Sequence, residues 1–160
     1  MATVSAADLI PAARSLGPSL AERSDRIEAT RTLPEDVVAD LRASGLFRLL
    51  TPKTLGGPEA DVATAANVIA EVARYDGAAA WCVMIAGTTT LQAGFLPEDV
   101  ARLVFGSPDS CAGGYAAPVG RAIPVEGGLR INGTWAWGSG TQHCTWIGGG
   151  TRIVDDEGKT

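Results

Sequence analysis

The sequence has 160 residues, of which 46% are hydrophobic and 19% charged, and its formal net charge at pH 7 is −5. A chain of this length and composition can bury a core as one globular domain or as two small ones. An acidic balance without any cluster of lysine and arginine argues against a nucleic-acid partner.

The N-terminal residues lack the basic start and apolar run of a secretory signal, so we expect a cytoplasmic protein. The three cysteines, Cys82, Cys111 and Cys144, are widely spaced and odd in number. This pattern favours free thiols over a disulfide framework. No spacing of cysteines with the single histidine predicts a metal site.

Two helices are predicted before residue 46. Leucines and alanines recur every three or four positions between residues 5 and 30, but Pro11 and the Gly17-Pro18 pair predict interruptions there. Thr32-Leu33-Pro34-Glu35 can begin a second helix. The threonine side chain can cap it, the glutamate side chain can accept a hydrogen bond from the threonine backbone N–H, and the proline can occupy the first turn. Gly45 can end this helix in a left-handed conformation, and its apolar side consists of Val37, Val38 and Leu41.

The turn-rich residues 51–58 connect to the most regular predicted helix, which begins near Asp61. We expect Glu71 and Arg74 to lie off its apolar face, which consists of Val62, Ala65, Ala66, Ile69, Val72 and Ala73.

Residues 77–97 contain no charged side chain, which raises the question of a membrane span. Polar side chains in the middle of this run, including Thr88, Thr89 and Gln92, favour instead a helix buried within the protein, beside a cavity. We therefore expect no membrane association. Trp81 most simply fills the helical core.

A short helix opened by Pro97-Glu98-Asp99 and closed by Gly106 is the last one predicted. From Gly106 onward the chain holds 13 of its 20 glycines, so we predict a helical domain over residues 1–106 and an incomplete β domain over 107–160. A hairpin around Glu126-Gly127-Gly128 joins strands 121–125 and 129–132, and another strand is predicted over 145–154. Residues 155–160 read as a turn that leaves an open sheet edge.

Residues 132–146 hold three of the four tryptophans and the only histidine. Along an extended strand, Trp135, Trp137 and Ser139 share one face, which offers flat aromatic surface and one hydroxyl. Such a face suits a planar, partly polar ligand. The alternative is a tryptophan-rich sheet core.

Hydrolytic and dinucleotide-binding sites fit this segment poorly. Ser139 and His143 lie about 13 Å apart on a continuous strand, beyond hydrogen-bond reach unless a turn intervenes. Gly138-x-Gly140 lacks the third glycine of a dinucleotide loop. His143 is therefore interpreted as a structural histidine.

Three segments in this order resemble the acyl-CoA dehydrogenase superfamily of flavoproteins. They are Gly45-Leu46-Phe47 leading to Pro52-x-x-x-Gly56-Gly57, then Glu71-Val72-Ala73-Arg74-Tyr75-Asp76, then Asn132-Gly133 leading to Trp137-Gly138-Ser139-Gly140. The resemblance implies an α+β fold, in which the N-terminal helical domain precedes the start of an antiparallel β-barrel-like middle domain. Members are considerably longer, so the chain resembles their N-terminal part.

The resemblance also implies site residues. Trp137 and Ser139 fall where the family contacts the flavin, with the Ser139 hydroxyl near N5 and O4 as the catalytic group. Gly138, Gly140, Tyr115 and Ala116 are the further cofactor-binding candidates. Trp81 and Thr89 are the candidates for the substrate pocket.

Within the superfamily, Ala116-Ala117-Pro118 replaces the Thr-Glu-Pro of true dehydrogenases. Together with Trp135-x-Trp137-x-Ser139-Gly140 and His143-x-x-Trp146, it is similar to the branch of reduced-flavin monooxygenases. That branch implies hydroxylation of an aromatic or polyketide-like small molecule through a hydroperoxyflavin, with reduced FAD or FMN from a separate flavin reductase, in a homotetramer. Phenol hydroxylases of the branch often carry a histidine in the uncharged helix, where this chain has Thr89 or a neighbour, and the lack of that base counts against activation of a phenol oxygen.

Two other functions remain open at this point. An acyl-CoA dehydrogenase would use a glutamate that this chain does not contain, and its presence further along the protein would distinguish the two enzymes. A truncated, non-catalytic fragment would bind no flavin and act, at most, as an interaction module.

Overall fold

The computed structural model describes residues 4–155. The helices are α1 (Leu9–Thr30), α2 (Glu35–Ala43), α3 (Val62–Ala73), α4 (Gly77–Thr89) and α5 (Glu98–Phe105). The strands are β1 (Ala112–Val125), β2 (Gly128–Asn132) and β3 (Trp146–Ile153). Single turns of 3₁₀ helix cover Ala6–Asp8, Leu46–Arg48, Lys53–Leu55 and Thr141–His143, and a longer one covers Thr90–Phe95. Of the turn predicted over residues 155–160, residues 156–160 lie outside the described part.

Helix α1 is continuous, so the predicted interruptions are wrong. Pro11 lies in the first turn, where a backbone N–H has no partner within the helix. Pro18 removes one internal hydrogen bond, but the preceding Gly17 packs directly against the ring of Tyr75. Sequence periodicity alone does not reveal such a contact.

The boundaries of α2 are close to the prediction, but the expected cap is absent. Pro34 occupies the N-cap position, and no side chain caps the helix there. The backbone carbonyl of Thr32 instead accepts a hydrogen bond of 2.8 Å from the Thr30 hydroxyl. At the other end Gly45 has a φ of 73°, which confirms the predicted left-handed ending.

Helix α3 begins as predicted, because the Asp61 carboxylate accepts a 2.8 Å hydrogen bond from the Thr64 backbone N–H. Its buried face is rotated from the predicted one. Val62 is 74% exposed, whereas Glu71 is buried. The Glu71 carboxylate accepts a 3.3 Å bond from Arg14 of α1, and this pairing allows its burial. The residues buried on α3 are Ala65, Val68, Glu71 and Val72.

Helix α4 packs between α3 and the sheet through Ala79, Ala80, Val83 and Ala86. Trp81 lies on the opposite side and is 54% exposed, so the prediction that it fills the core is wrong. Among residues 4–155, no helix is both long and apolar enough to cross a membrane. Helix α5 is confirmed, with Gly106 at its C-cap.

The core of the helical part is a cluster centred on Phe47 and the apolar faces of α1–α4. A smaller cluster joins α5 to the beginning of β1 through Phe105 and Ala112. The buried Arg48 guanidinium donates 2.9 Å hydrogen bonds to the carbonyls of Leu55 and Phe105, which ties the loop before α3 to the end of α5.

The strands form one sheet in the order β2-β1-β3. Strands β1 and β2 are antiparallel, with Val125 opposite Gly128. The two-residue turn between them holds Gly127 at a φ of 79°, and the predicted hairpin is confirmed. Strand β3 pairs with β1 in parallel, with Ala112 opposite Trp146. The sheet is therefore mixed, which corrects the expectation of a purely antiparallel one. Residues 133–145 return the chain to the beginning of β1, and this long return allows the parallel pairing.

Candidate functional site

The tryptophan-rich segment is not a strand between residues 133 and 145. Trp137 has a φ of 66° and Gly140 a φ of 73°, and both values reverse the chain. The Ser139 backbone N–H donates a 2.9 Å bond to the Trp137 carbonyl. The prediction that Trp135, Trp137 and Ser139 share one strand face is therefore wrong, because side chains alternate only along an extended chain.

The two tryptophans of this segment have different surroundings. Trp135 is half-buried, and its indole N–H donates a 2.9 Å hydrogen bond to the Gly150 carbonyl of β3. Its ring packs against Gly120 and Gly149, where neither residue has a side chain to displace it. Trp137, by contrast, is 94% exposed. Trp135 therefore holds the segment on the sheet, while Trp137 presents an open aromatic surface.

Tyr115 of β1 contacts the same segment. Its hydroxyl lies against Gly138 so closely that any side chain at position 138 would overlap it. Its ring centroid lies 6.2 Å from that of Trp135. The structure thus brings together Tyr115 and Gly138, two of the residues that the resemblance implies for cofactor binding.

Two cavities flank this contact. The first, which we name the strand cavity, has a volume of about 510 Å³ and lies between the end of α4 and the edges of β1 and β3. Thr89 lines it together with Tyr115 and Ala116. Its other lining residues are Ile85, Thr88, Gln92, Gly113, Gly114 and Gly148–Gly150.

The second cavity, named the indole cavity, has a volume of about 320 Å³ and lies between α1, α4 and the turn at Ser139. Trp81 lines it together with Ser139 and Gly140. Two polar residues of the indole cavity, Glu28 and Arg31, were not predicted from the sequence. They lie at the end of α1, and the sequence of a helix end does not indicate which part of the protein packs against it. The other lining residues are Ile27, Thr32, Leu33, Ala78, Cys82, Gln142 and His143.

The two predicted substrate residues are thus separated, since Trp81 lines the indole cavity and Thr89 the strand cavity. Trp137 lines neither of them. The Ser139 hydroxyl has no hydrogen-bond partner within the described part of the chain. Thr89, in contrast, donates a 2.7 Å bond to the Ile85 carbonyl.

His143 packs as a structural residue on one side. Its ring stacks on Phe47 with centroids 5.1 Å apart, and its backbone carbonyl accepts a 3.2 Å bond from Arg42. Burial lowers the pKa of the imidazole, and the positive charge of Arg42 lowers it further. The buried Nδ1 has no hydrogen-bond partner within residues 4–155. Ser139 and His143 both line the indole cavity, although no hydrogen bond joins their side chains in the described residues.

No group of three or more histidine, cysteine or acidic side chains within residues 4–155 is placed to hold a metal ion. The polar groups of both cavities are hydroxyls, amides, a thiol, the imidazole and one ion of each sign. Together with the exposed indole of Trp137, they suit a planar organic molecule with heteroatoms at its edge.

Comparison with known proteins places this chain in a family. The family described as "Acyl-CoA dehydrogenase, N-terminal domain" matches residues 12–97. A flavin-dependent monooxygenase, oxygenase subunit HsaA, from Rhodococcus jostii (strain RHA1) is 32% identical over 89% of this chain and 37% of its own length. The oxygenase component of p-hydroxyphenylacetate 3-hydroxylase from Acinetobacter baumannii is 28% identical over 97% of this chain and 37% of its own length.

Among solved structures, XiaF from Streptomyces sp., in complex with FADH2 and glycerol, superposes with a TM-score of 0.91. It is 31% identical, and the match covers 96% of this chain and 39% of XiaF. The chain therefore spans little more than a third of the length of these relatives. The family match covers more than half of the chain, and the chain belongs to the acyl-CoA dehydrogenase family through its N-terminal domain.

Proposed function

We propose that this chain is part of the oxygenase component of a two-component, flavin-dependent monooxygenase. The proposed protein uses reduced FAD or FMN, delivered by a separate reductase, and O2 to hydroxylate an aromatic small molecule. One observation carries the proposal. Ser139, whose hydroxyl has no hydrogen-bond partner among residues 4–155, lines a cavity with Trp81, while the adjacent Gly138 contacts Tyr115, which lines a second cavity with Thr89.

The residues present suit a flavin. Trp137 has a positive φ, which is a strained backbone conformation for a residue with a side chain. Its indole is also exposed, and a ligand that covered it would bury its aromatic surface and stabilise the complex. The isoalloxazine ring is flat and has a polar edge, so an exposed indole and a hydroxyl without a partner among the described residues are the kinds of group that it needs. We assign Trp137, Gly138, Ser139, Gly140, Tyr115 and Ala116 to binding of this cofactor.

Each residue then has a physical role in the proposed reaction. The reduced flavin, when bound, supplies the electrons that activate O2. The Ser139 hydroxyl donates a hydrogen bond to the polar edge of the ring and fixes its position. Tyr115 and Trp135 close the site on the sheet side and exclude water, which otherwise promotes unproductive release of peroxide. Trp81 in the indole cavity and Thr89 in the strand cavity stay the candidates for contact with the substrate, although they line separate cavities.

The known activities after which the relatives are named support a monooxygenase over a dehydrogenase. HsaA is named a flavin-dependent monooxygenase and an oxygenase subunit, which implies a partner that supplies reduced flavin. The Acinetobacter baumannii relative acts, by its name, on p-hydroxyphenylacetate, a phenol. The structure of XiaF contains FADH2. We transfer to this chain the reaction class and the aromatic substrate class, and the homotetramer stays a prediction.

An acyl-CoA dehydrogenase is the second candidate, because the matching family carries that name. The Ala116-Ala117-Pro118 sequence and the names of the relatives weigh against it. The third candidate is a fragment that binds no flavin.

Anaerobic titration of the full-length protein with reduced FAD and reduced FMN, followed by mixing with oxygen in a stopped-flow spectrophotometer, separates the three. We expect tight binding of one reduced flavin and a long-lived hydroperoxyflavin absorbance that decays faster when a phenolic substrate is added. Bound oxidised flavin that is bleached by an acyl-CoA would establish the dehydrogenase. Failure to bind either flavin would establish the non-catalytic alternative.

A further inference from the structure

Two cysteines lie side by side where the parallel strands begin. Cys111 directly precedes β1, and Cys144 lies two residues before β3. Thr145, which follows Cys144 directly, connects the two chain segments. Its backbone N–H donates a 2.7 Å bond to the Cys111 carbonyl, and its hydroxyl accepts a 3.1 Å bond from the Cys111 N–H. The Cys144 thiol donates a 3.3 Å hydrogen bond to the Gly140 carbonyl and packs against the core cluster to which Cys111 belongs. These contacts hold the two cysteines in neighbouring segments of the chain, and a disulfide forms where their sulfur atoms can meet.

The two thiols differ in access. Cys111 is 1% exposed and belongs to the helical core. Cys144 is half-buried and lines a separate cavity of about 460 Å³, which Arg42 and His143 also line. The Arg42 Nε is buried without a hydrogen-bond partner in the described residues. A small polar molecule can therefore reach Cys144 beside a cationic group, whereas it cannot reach Cys111.

The electrostatics favour Cys144 as the thiol that ionises first. The hydrogen bond from Cys111 lowers the pKa of Cys144 and Arg42 lowers it further, although burial opposes both. The same hydrogen bond raises the pKa of Cys111, and burial raises it further. The third thiol, Cys82, has its pKa raised to about 11, mainly by burial. The thiolate is the nucleophilic form, so reactivity is concentrated at Cys144.

We propose that Cys144 and Cys111 form a peroxide-reactive thiol pair, in which Cys144 attacks and Cys111 resolves. The Cys144 thiolate attacks one oxygen of hydrogen peroxide and the O–O bond breaks. This gives a sulfenic acid and a hydroxide, which takes up a proton and leaves as water. Cys111 then loses its proton and attacks the Cys144 sulfur, and the sulfenic oxygen leaves as a second water. Peroxide is reduced by two electrons, and the two sulfurs are oxidised to a disulfide.

The disulfide ties the beginning of β1 to the end of the segment that carries Ser139. Hydrogen bonds already hold that segment, namely those of Thr145 with Cys111, of Arg42 with the His143 carbonyl and of Trp135 with the Gly150 carbonyl, and the disulfide adds a covalent link. Since the reaction needs only hydrogen peroxide, it does not rest on the proposed monooxygenase function.

The arginines of the sequence make the test direct, because trypsin places each cysteine in its own peptide. Cleavage after Arg74, Arg102, Arg121, Arg130 and Arg152 yields peptides 75–102 with Cys82, 103–121 with Cys111, and 131–152 with Cys144. The native full-length protein is treated with an equimolar amount of hydrogen peroxide, alkylated, digested without reduction and analysed by mass spectrometry. We expect 103–121 linked to 131–152, lighter than their sum by two hydrogen atoms, with Cys82 alkylated.

Two variants test the order of attack. In Cys111→Ser we expect dimedone, which traps sulfenic acids, to label peptide 131–152, because the resolving thiol is missing. Cys82→Ser is the matched control and is expected to form the same linked peptides as the wild type. The wild-type digest decides the proposal even if a variant does not fold. Alkylation of all three cysteines after peroxide, or a link that includes peptide 75–102, would overturn it.

Discussion

The Tyr115 hydroxyl lies directly against Gly138, so one strand residue and one glycine join the two cavities of the candidate site. Tyr115 faces the strand cavity, and Gly138 immediately precedes Ser139 of the indole cavity. Any change in this contact therefore moves both cavities relative to each other.

The contact predicts that Gly138→Ala destabilises the protein and weakens binding of reduced flavin. The added methyl group overlaps the Tyr115 hydroxyl, and overpacking of this kind costs about 1–3 kcal/mol. Chemical denaturation and flavin titration measure the two effects. Gly128→Ala is the control, because a β-carbon there meets open space. In a Tyr115→Ala background the cost of Gly138→Ala should fall, with only the contact to the Thr141 methyl group left, and an unchanged cost would show that the Tyr115 contact is not responsible.

Ser139→Ala should increase the release of peroxide per reduced flavin consumed and weaken reduced-flavin binding roughly tenfold, the equivalent of one hydrogen bond of about 1.4 kcal/mol. A peroxide assay run in parallel with product analysis measures the partition. Ser107→Ala changes an exposed serine outside both cavities and is expected to behave as the wild type. Equal coupling in the Ser139 variant and the wild type contradicts the role proposed for this hydroxyl.

Trp81→Ala should weaken substrate binding much more than folding. The indole is 54% exposed, so its removal deprives the core of little packing, whereas loss of a stacking surface weakens an aromatic ligand about tenfold. Substrate titration and thermal unfolding separate the two quantities. Trp146→Ala removes an indole that lines neither cavity. If the Trp81 variant loses stability but binds substrate normally, Trp81 is a structural residue after all.

Gly17→Ala should destabilise the helical part by about 1–3 kcal/mol, because the new β-carbon overlaps the Tyr75 ring. Helix propensity alone predicts the opposite sign, a gain of up to about 1 kcal/mol on replacing glycine by alanine. Gly77→Ala, at the first residue of α4 with nothing near its β-carbon, shows the propensity effect without a clash. Urea denaturation of both variants decides between packing and propensity at position 17.

Asp36 makes part of the stability depend on pH. The hydrogen bond from Arg26 and then that from Arg23 lower its pKa from 3.8 to about 2. Because the folded-state pKa is depressed, the stabilisation is complete above the unfolded-state pKa near 3.8 and is lost as the pH falls through about 2. Asp36→Asn should therefore be less stable than the wild type at neutral pH, with the difference shrinking across this window. Asp25→Asn, an exposed acid without an ion pair among the described residues, should show no such trend.

Local signals predicted the elements that depend on local geometry. The left-handed Gly45, the acidic opening of α5 and the turn at Gly127 are each determined within a few residues, so the helix ends and the hairpin were correct. The errors arise where distant residues decide. Glu71 is buried because Arg14, which is 57 residues earlier, pairs with it. Pro18 is accepted because Tyr75 packs on its neighbour.

In the candidate site, too, the local features were predictable and those that depend on distant residues were not. The residue types of the tryptophan-rich segment indicated a planar ligand, and the family resemblance indicated which positions to examine. The strand geometry assumed for them was wrong, because Trp137 and Gly140 reverse the chain where alternation requires extension. The contact of Tyr115 with Gly138 and the separation of Trp81 from Thr89 depend on the tertiary arrangement, which no local pattern encodes.

The parallel pairing of β1 with β3 also sets an order of folding. Val125 pairs with Gly128 across a two-residue turn, so the hairpin can form from residues that are close in sequence. The pairing of Ala112 with Trp146 joins residues that are far apart in sequence. Contacts of long sequence separation form late because the loop that they close is entropically costly. The segment with Ser139 lies within that loop, so we expect it to take its place in the indole cavity after the hairpin has formed.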